Sequence, residues 1–519
     1  MATTERVTEP VPIRPVRPVR RDPRLAAVAL GYAVLQLCYA VAHMELGWDE
    51  SVYLSQVDPH NPAAYFSAPR SRGVSFLVAP VLVVTSSTLA LRLVLVLLSS
   101  ATLYAAFKLW EPLLGRGRPA LAALLFAGLW ITVLSGPEVM PNLWVALAAV
   151  AAVGWFLRAH HGVTDRGTAL AGVVVTLAAA TLFRAHDGVW LALPLLAGCA
   201  AVRAWRRPGT VAAVLGGLAL GGAQWAVEAY VRFGGIAHRL ALSSDTEGGM
   251  GAHLGAGFRA AHRALNGPQL CRPCRIAGPP LTHSLWWLLL PAVTATACAL
   301  ALRARRRSGE GAAVTLLPVA CALGLAAPYL LLLDYSAPRF LLPAYALLAL
   351  PVAGLAARAV RSVRTAGRRH AVTALLCAVL VAHLSVQLEE LRVNTADARD
   401  TAVRYRRAAE ALRRLGIEPP CLVTGPRAQP IAYAAGCASA QTAGNNRSAT
   451  TADIVRTSGY EPTAVLFDPR DGYLPSYARD WLPRPLPGTD WVAYVPWAPP
   501  GPPGQASRSS AARSLSTSR

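Results

Sequence analysis

Residues 46–59 read LGWDESVYLSQVDP, and they follow an apolar run at residues 25–44. Within this stretch Asp49 and Glu50 stand side by side, with an aromatic residue on either side of the pair. Carboxylates at the end of a membrane helix cost little when they are solvated, so the pair alone predicts an interfacial cap. Aromatic residues at this depth either anchor the interface or stack on a ring-shaped substrate. The rest of the chain decides between a cap and a functional site.

The composition is that of a polytopic helical membrane protein. The chain has 519 residues, of which 54% are hydrophobic and 15% are charged, whereas a soluble domain averages about 25% charged residues. The charges lie in short clusters between apolar runs. About eleven runs are near the length that crosses a hydrocarbon core of about 30 Å. They are residues 25–44, 89–108, 119–135, 143–159, 168–183, 188–204, 210–229, 284–302, 312–333, 340–357 and 371–388.

The first apolar run admits two interpretations. A basic leader at residues 1–24 followed by an apolar stretch is typical of a secretion signal. The stretch at 25–44 is longer than the core of a signal peptide, which has about 7–15 residues, and this favours a retained first helix. We therefore expect residues 25–388 to form one transmembrane domain that begins with this helix.

The net charge of +22 comes from Arg clusters at the ends of the apolar runs. That distribution indicates topology signals rather than nucleic-acid binding, and no nucleic acid is expected as a partner. The positive-inside rule places the leader and five loops in the cytoplasm. These loops are residues 115–119, 158–167, 203–209, 303–311 and 358–369. We expect a multi-pass protein of a bacterial plasma membrane, in contact with membrane lipids, with a cytoplasmic N-terminus and an extracytoplasmic C-terminus.

This orientation requires a single crossing between Arg72 and Lys108. The apolar stretch 74–87 should then be a re-entrant or juxtamembrane piece, which its shortness and Pro80 support. The alternative is an ordinary helical hairpin, which would invert every later loop. The positive-inside rule favours the re-entrant interpretation.

The C-terminal part of the chain has a different character. We expect residues 389–498 to form a small extracytoplasmic α/β domain that begins with a charged amphipathic helix at 395–415. In it we expect strands at 420–425, 463–468 and 491–497 and a helix at 428–436, followed by a disordered Pro-, Gly- and Ser-rich tail at 499–519.

Four cysteines lie in segments that are predicted to be external. Disulfides are expected there because the compartment is oxidising. Cys421 and Cys437 flank a strand–turn–helix and could pair. Cys271 and Cys274 form a C-x-x-C, for which a local disulfide is favoured over zinc, since no second ligand pair accompanies it.

Ionisable residues gather in the short external segments. The first external loop, residues 45–88, carries Arg70 and Arg72, whose planar guanidinium groups suit phosphate. A second long external loop is predicted at residues 230–283. The candidate substrate-binding residues are Tyr53, Arg70, Arg72, Arg184, His186, Asp187, Asp334 and Arg339, and the candidate catalytic acids are Asp49, Glu50 and Glu138.

Such a set of residues fits sugar transfer from a lipid phosphate. One carboxylate accepts the proton of an acceptor hydroxyl as that hydroxyl attacks the anomeric carbon. Arginine side chains stabilise the charge that develops on the departing phosphate. No G-x-G-x-x-G or P-loop is present, so the sequence predicts no cytoplasmic nucleotide site.

The chain also resembles a family. The order of basic leader, first helix and then W-D-E-x-x-Y at residues 48–53 is similar to that of the GT-C superfamily of polyprenyl-phosphate-sugar-dependent glycosyltransferases, such as protein O-mannosyltransferases and lipid A aminoarabinose transferases. The resemblance implies that Asp49 is the catalytic carboxylate with Glu50 beside it. It also implies that Glu138 lies near the acceptor or supports the base.

Residues 338–351, PRFLLPAYALLALP, resemble a late span of the same superfamily, which makes Arg339 a candidate ligand of the donor phosphate. The resemblance implies juxtamembrane helices in the first loop, a polyprenyl-phosphate-linked sugar as donor, and mannose or a pentose as the transferred sugar. The acceptor is expected to be a glycan, a lipid or a protein.

Two questions stay open in the sequence. Asp49, Glu50, Glu138 and Asp187 could supply oxygen ligands to a divalent metal, although a reaction without cofactor is expected. A lipid-linked glycan flippase or transporter would place ionisable residues deep inside spans, yet only Arg92 and Glu228 lie there. A glycan polymerase or ligase is the third possibility.

Overall fold

The protein is an all-α polytopic membrane protein with a small C-terminal α/β domain. The structure, a computed structural model, describes residues 22–41, 46–308, 312–444, 446–470 and 472–497. The predicted tail at 499–519 and nearly all of the predicted basic leader lie outside these ranges.

Nineteen α-helices and five strands are numbered here in chain order, within the described residues. The helices of the first half are α1 Pro23–Leu35, α2 Trp48–Ser55, α3 Gly73–Val84, α4 Thr88–Lys108, α5 Glu111–Leu114, α6 Arg118–Ala127, α7 Trp130–Ser135, α8 Pro141–His161, α9 Arg166–Phe183, α10 Ala185–Ala201 and α11 Pro208–Phe233. The remaining helices are α12 Ile236–Thr246, α13 Ala256–Arg263, α14 Leu281–Ser308, α15 Ala313–Leu331, α16 Leu342–Ser362, α17 Ala366–Arg414, α18 Ala428–Ala435 and α19 Thr451–Ser458. The strands are β1 Leu422–Thr424, β2 Ala438–Ala440, β3 Thr463–Phe467, β4 Leu482–Pro485 and β5 Val492–Val495.

Nine helices in the described part of the chain are long and apolar enough to cross a membrane. They are Pro23–Val41, Thr88–Leu114, Pro141–His161, Arg166–Phe183, Pro208–Phe233, Leu281–Arg306, Ala313–Leu331, Pro338–Ser362 and Ala366–Arg414. The other two predicted spans correspond to shorter apolar segments. The run at 119–135 is divided into α6 and α7, and the run at 188–204 corresponds to α10.

The stretch that was predicted to be re-entrant forms the separate short helix α3. It has 12 residues and is therefore about 18 Å long, less than a hydrocarbon core requires. Its first residue, Gly73, lies against the end of α9, where an added Cβ would be 2.6 Å from the carbonyl oxygen of Leu182. Only glycine permits this close approach, which fixes the end of the first loop against α9.

Helix α8 lies at the centre of the helical domain, and almost all of its side chains are buried. It packs against α4, α9 and α16. Small residues allow such close helix packing elsewhere too: a Cβ on Gly221 of α11 would be 2.1 Å from the carbonyl oxygen of Ala178 in α9. The first turn of α8 is consequently a rigid edge for whatever site lies at that end.

The last long helix, α17, has no break at the predicted boundary between residues 388 and 389. It runs for 49 residues, about 74 Å, and it includes the amphipathic segment that was predicted as a separate helix at 395–415. A membrane span and a domain-packing helix are thus one continuous element, because nothing in the sequence between them ends the helix.

The C-terminal domain is a five-stranded mixed sheet with strand order β2-β1-β3-β5-β4. β1 is parallel to β2 and β3, and β5 is antiparallel to β3 and β4. The three predicted strands and the predicted helix correspond to β1, β3, β5 and α18, whereas β2, β4 and α19 were not predicted.

Both disulfides that the sequence favoured are present, Cys271–Cys274 and Cys421–Cys437. The first lies in the loop before α14 and the second joins the start of β1 to the end of α18. The C-terminal domain also contacts the first loop, because α18 packs against α2. The Tyr433 hydroxyl of α18 donates a hydrogen bond to Asp58 Oδ2 at 2.5 Å.

Candidate active site

Asp49 is held between two arginines from distant parts of the chain. Its Oδ1 accepts a hydrogen bond from Arg70 Nη2 at 2.7 Å, and its Oδ2 accepts one from Arg339 Nη2 at 2.8 Å. Burial alone would raise the pKa of Asp49, but the Arg70 and Arg339 guanidiniums outweigh that effect and hold it below its ordinary value. Asp49 is therefore ionised at neutral pH.

Helix α2 places Asp49 in this position. Both acids lie in its first turn, where carboxylates interact favourably with the positive end of the helix. The Glu50 Oε2 atom accepts a hydrogen bond from the backbone N–H of Gly47 at 2.9 Å and so caps the start of the helix. Because adjacent residues on a helix point in different directions, Asp49 and Glu50 have different surroundings.

Glu50 is buried and serves the structure around the site. It forms a two-point ion pair with Arg92, which is fully buried in α4, and it accepts a hydrogen bond from the backbone N–H of Val139 at 2.7 Å. Arg92 also donates to the carbonyl oxygen of Pro137 at 2.6 Å. These contacts join α2, α4 and the loop before α8. Glu50 does not line the cavities described below, so the structure shows it as a scaffold residue and its predicted catalytic role stays a prediction.

Glu138 lies in that same loop and is buried, with 6% of its surface exposed. Burial and the neighbouring Glu50 raise its pKa to about 8, although Arg339 and Arg92 act in the opposite direction. Gln269 Nε2 lies 3.5 Å from its Oε1. At neutral pH Glu138 thus keeps its proton, close to Asp49 but outside the lining of the cavity.

A buried network fixes the loop that carries Arg70. Arg239 of α12 is fully buried, and it donates to the carbonyl oxygens of Ala68 at 3.0 Å and Arg70 at 2.9 Å. It also pairs with Glu228 of α11 at 3.2 Å. Arg72 pairs with the same Glu228 at 2.7 Å. Arg72 is consequently part of the scaffold behind the loop and does not line the cavity, in contrast to its predicted binding role.

The turn between α9 and α10 contributes a second polar group. Arg184 Nε lies 3.3 Å from Asp187 Oδ2, and His186 Nε2 lies 2.8 Å from the Tyr329 hydroxyl. That hydroxyl donates to Asp187 Oδ1 at 2.7 Å. Asp187 is fully buried and orients its neighbours. Arg184, His186 and Tyr329 of this group line a cavity, whereas Asp187 lines neither.

Two cavities meet at this site. The polar cavity, about 110 Å³, is lined by both arginines of the Asp49 pair and, among others, by Asp49, Tyr53, Asn142, Arg184, Glu247 and Tyr335. The apolar cavity, about 440 Å³, lies between α9, α10, α11, α12 and α15 and is lined mainly by side chains such as Val189, Trp190, Leu218, Trp225, Leu240 and Leu333. The two share Pro69, Arg184, Glu247, Tyr335 and Phe340.

The structure thus brings together most of the predicted site residues. Asp49, Tyr53, Arg70, Arg184 and Arg339 line the polar cavity, and His186 lines the apolar one. Asp334 is exposed and lines neither cavity, whereas Tyr335 and Arg339 of the same turn line the polar one.

Sequence reasoning missed several residues of the lining, among them Asn142, Thr246 and Glu247. Asn142 stands beside the Glu138 turn that the sequence singled out, so its position offered a signal. Glu247 lies in the predicted external loop at 230–283, where no motif distinguishes it from the exposed Asp245. Its side chain bonds to the Tyr335 hydroxyl at the junction of the two cavities.

The predicted oxygen ligands of a metal are divided between separate ion pairs. Asp49, Glu50 and Asp187 each have arginine partners. Among the residues that the structure describes, no group of three or more His, Cys, Asp or Glu side chains is arranged to hold a metal ion. The positive charge in the polar cavity comes from arginine.

Comparisons with known proteins identify the fold. No protein-family model matches the chain, and no curated protein matches it in sequence. The structure of ArnT from Cupriavidus metallidurans bound to undecaprenyl phosphate is similar, with a TM-score of 0.63 at 13% identity over 92% of this chain and 98% of ArnT. An oligosaccharyltransferase from Archaeoglobus fulgidus, tethered with an acceptor peptide, has a TM-score of 0.51 at 12% identity over 86% of this chain and 69% of its own.

Both of these proteins are GT-C glycosyltransferases. The chain therefore has the GT-C fold, and the resemblance seen in the sequence is confirmed at the level of the fold. It is a multi-pass membrane protein of that architecture, with a long helix that leads into a C-terminal α/β domain.

Proposed function

We propose that this protein is an integral-membrane glycosyltransferase that moves a sugar from a polyprenyl-phosphate donor to an acceptor hydroxyl on the external face of the membrane. The observation that carries the proposal is the Asp49 carboxylate bound to Arg70 and Arg339 in a polar cavity that adjoins an apolar one. A carboxylate base, cations for a phosphate and a groove for an isoprenoid chain are the parts that such a transfer requires.

The two cavities fit the two parts of a lipid-linked donor. The apolar cavity, between α9, α10, α11, α12 and α15, suits an isoprenoid chain because its lining is almost wholly hydrocarbon. Arg184 lies where this cavity meets the polar one, and Arg70 and Arg339 lie beyond it. Three guanidiniums close to one another favour an anionic phosphate in that position. The similarity in fold to ArnT, which was solved with undecaprenyl phosphate, supports this assignment.

The proposed reaction is a direct displacement. The acceptor hydroxyl attacks the anomeric carbon, and its proton passes to the Asp49 carboxylate. The bond between the anomeric carbon and the phosphate oxygen breaks, and its electron pair leaves with the polyprenyl phosphate. Arg70, Arg184 and Arg339 stabilise the charge of the departing phosphate.

Binding of the donor would also activate the base. In the free protein both oxygens of Asp49 accept hydrogen bonds from arginine, and this lowers its pKa. A phosphate that binds Arg70 and Arg339 draws their charge away from Asp49, so its pKa rises towards the ordinary range and it becomes a better proton acceptor. Proton transfer is in this way coupled to the presence of the donor.

The rival transporter function receives no support from the ionisable residues in the spans. Arg92 pairs with Glu50 of α2, and Glu228 pairs with Arg72 and Arg239. Both residues therefore fasten the first loop to the helical domain rather than line a path through it. A transport path would place such groups along an aqueous cavity.

The transferred sugar is proposed to be mannose or a pentose, and the acceptor a glycan, a lipid or a protein. We propose that no metal takes part, because arginine supplies the positive charge that a metal would otherwise supply to the leaving phosphate. Retention of activity in excess EDTA would support this, and loss that added Mg²⁺ or Mn²⁺ restores would contradict it.

Release of undecaprenyl phosphate from undecaprenyl-phosphate-linked sugars by the purified protein in lipid nanodiscs tests the proposal. We expect Asp49→Asn to slow the release by about 10²–10⁴-fold, the usual contribution of a general base. Asp334→Asn is the matched control, since Asp334 is exposed and outside both cavities. Full activity of Asp49→Asn, or equal losses in the two variants, would remove Asp49 from the mechanism.

A further inference from the structure

Asn142 is a buried amide in the wall of the polar cavity. It lies in the first turn of α8 and is 1% exposed. Within the described residues, neither its Oδ1 nor its Nδ2 has a hydrogen-bond partner. It lines the same cavity as Asp49 and Arg339.

An amide in this condition is unusual, because buried polar side chains are nearly always hydrogen-bonded and an unmet one reduces stability. Asn394 in α17 shows the ordinary case: it is 7% exposed, and its Nδ2 donates to the carbonyl oxygens of Asn266 at 3.0 Å and Glu390 at 2.9 Å. Asn142 is more deeply buried and has no such contacts. Among the described residues the amide of Asn446 also lacks partners but lines neither cavity, whereas Asn142 lies in the wall of the polar one, which points to a ligand of that cavity as its partner.

The backbone at the start of α8 likewise lacks a hydrogen-bonded side-chain cap. Its N-cap residue is Met140, whose side chain accepts no hydrogen bond from the first-turn N–H groups, and Pro141 occupies the first helical position. Met140 and Pro141 line the polar cavity together with Asn142. The helix therefore presents donor groups and one side-chain acceptor to the same space.

The chemistry of Asn142 favours a sugar ring over a phosphate. A carboxamide offers one acceptor and two donors, whereas the phosphate diester of a polyprenyl-phosphate sugar has no proton to give to Oδ1. The arginines of the cavity already offer that anion charged hydrogen-bond donors. Neighbouring hydroxyl groups of a sugar can donate to Oδ1 and accept from Nδ2 together.

We propose that the Asn142 carboxamide binds two neighbouring hydroxyl groups of the transferred sugar, and that it is a specificity-determining residue of this site. The inference rests on the proposed glycosyltransferase function. The first turn of α8 then holds the sugar on one side, while Asp49 lies within the same cavity to receive the acceptor proton. A deoxy analogue of the sugar that lacks one of these hydroxyls would leave the Asn142 amide without a hydrogen-bond partner, and the site would discriminate against it.

The test compares two lipids on wild type, Asn142→Leu and the control Asn394→Leu, all in nanodiscs. The probes are undecaprenyl phosphate and the undecaprenyl-phosphate-linked sugar, from a panel that includes mannose and pentoses, that wild type binds best. We expect Asn142→Leu to weaken binding of the glycosylated lipid roughly tenfold, as the loss of one good hydrogen-bonded contact does. Binding of undecaprenyl phosphate should stay within about twofold of wild type, within the scatter of such measurements.

Thermal unfolding without lipid provides the second readout. Asn142→Leu should have an unfolding midpoint equal to or above that of wild type, because an unmet polar group is replaced by an apolar one of similar size. Asn394→Leu should have a lower midpoint, because its hydrogen bonds are lost. A midpoint of Asn142→Leu that falls as far as that of Asn394→Leu would make Asn142 a structural residue and overturn the proposal.

The binding results separate this inference from the function on which it rests. If wild type releases undecaprenyl phosphate from no lipid-linked sugar of the panel, the proposed function fails and the inference fails with it. If wild type is active and Asn142→Leu binds the glycosylated lipid as wild type does, or binds both lipids more weakly by the same factor, only the inference is overturned. A change in the KM of the acceptor alone would assign the hydroxyl pair to the acceptor and likewise contradict the donor sugar.

Discussion

Asp49 and Arg339 lie 290 positions apart in the chain, yet the carboxylate of one and the guanidinium of the other are 2.8 Å apart. The other oxygen of Asp49 binds Arg70 from the same loop. In the proposed mechanism, these two arginines keep Asp49 a weak base until a donor phosphate binds them. This relationship gives the proposed reaction its order, in which the donor binds before the proton moves.

Arg339→Gln should weaken donor use and change the pH profile. The variant loses one guanidinium for the phosphate, and we expect the KM of the lipid-linked donor to rise about tenfold or more. Arg339 also lowers the pKa of Asp49, so its removal raises that pKa and moves the acidic limb of the pH–rate profile to higher pH. Arg339→Lys, which keeps the charge, should have a smaller effect on both. A profile identical to that of wild type would contradict the contact.

Glu50→Gln should lower the stability of the folded protein more than it lowers the rate of sugar transfer. The substitution removes the carboxylate that neutralises the buried Arg92, and breaking a buried pair on one side costs about 3–5 kcal/mol. Thermal unfolding in detergent measures this loss, and the double variant Glu50→Leu, Arg92→Met should recover much of it. A Glu50→Gln protein with an unchanged unfolding midpoint and no activity would instead place Glu50 in the reaction.

Glu138 should make the folded protein less stable as the pH rises. Its pKa is about 8 in the folded state against an ordinary 4.5, so the folded protein retains a proton that the unfolded chain has lost. The contribution of this carboxyl to stability is greatest below pH 4.5 and is lost between pH 4.5 and about 8. In Glu138→Gln that part of the decline in the unfolding midpoint should be absent, which a pH series of thermal scans would detect. Parallel curves for the two proteins would contradict the prediction.

Arg239→Met should impair donor binding even though Arg239 does not itself line either cavity. The variant keeps most of the side-chain volume but loses the hydrogen bonds to the carbonyl oxygens of Ala68 and Arg70. The loop that carries Arg70 would then be held less firmly, and we expect the donor KM to rise several-fold while the acceptor KM stays unchanged. Equal changes in both constants would indicate a general loss of structure and not the positioning of Arg70.

The orientation of the protein stays a prediction from its loop charges. A reporter fused after residue 115 should be cytoplasmic and one fused after residue 87 should be external, because the positive-inside rule places 115–119 inside. An external residue 115 would contradict the assignment of the short helix α3 to a re-entrant segment and would reverse the later loops.

The sequence was sufficient for the parts that depend on local chemistry. Apolar runs of spanning length identified the membrane helices, and the spacing of cysteines indicated both disulfides. The pattern around residues 48–53 singled out Asp49, because an acid beside aromatic residues at the end of an apolar run is visible in the chain itself; the structure places Asp49 in the polar cavity, and its catalytic role stays a proposal. Short apolar runs also predicted β1, β3 and β5, whereas β4 contains two prolines and gave no such signal.

Which of two chemically similar residues lines the cavity could not be predicted in this way. Glu50 beside Asp49 and Arg72 beside Arg70 have the same chemistry as their partners, and only packing decides which of each pair faces the cavity. Asn142 stands beside the Glu138 turn that the sequence singled out, but a single amide has many ordinary roles, so its place in the cavity could not be predicted.

By itself the sequence determined that this chain spans a membrane many times, that it carries carboxylates and arginines at the ends of its spans, and that a small α/β domain follows. Hydrophobicity, charge and spacing are local properties, so they can be read from the chain. The tertiary structure alone decided that Asp49 meets Arg70 and Arg339, that Glu50 is bound to Arg92, and that a polar cavity adjoins an apolar one. These contacts join residues up to 290 positions apart, and their geometry is set by helix packing.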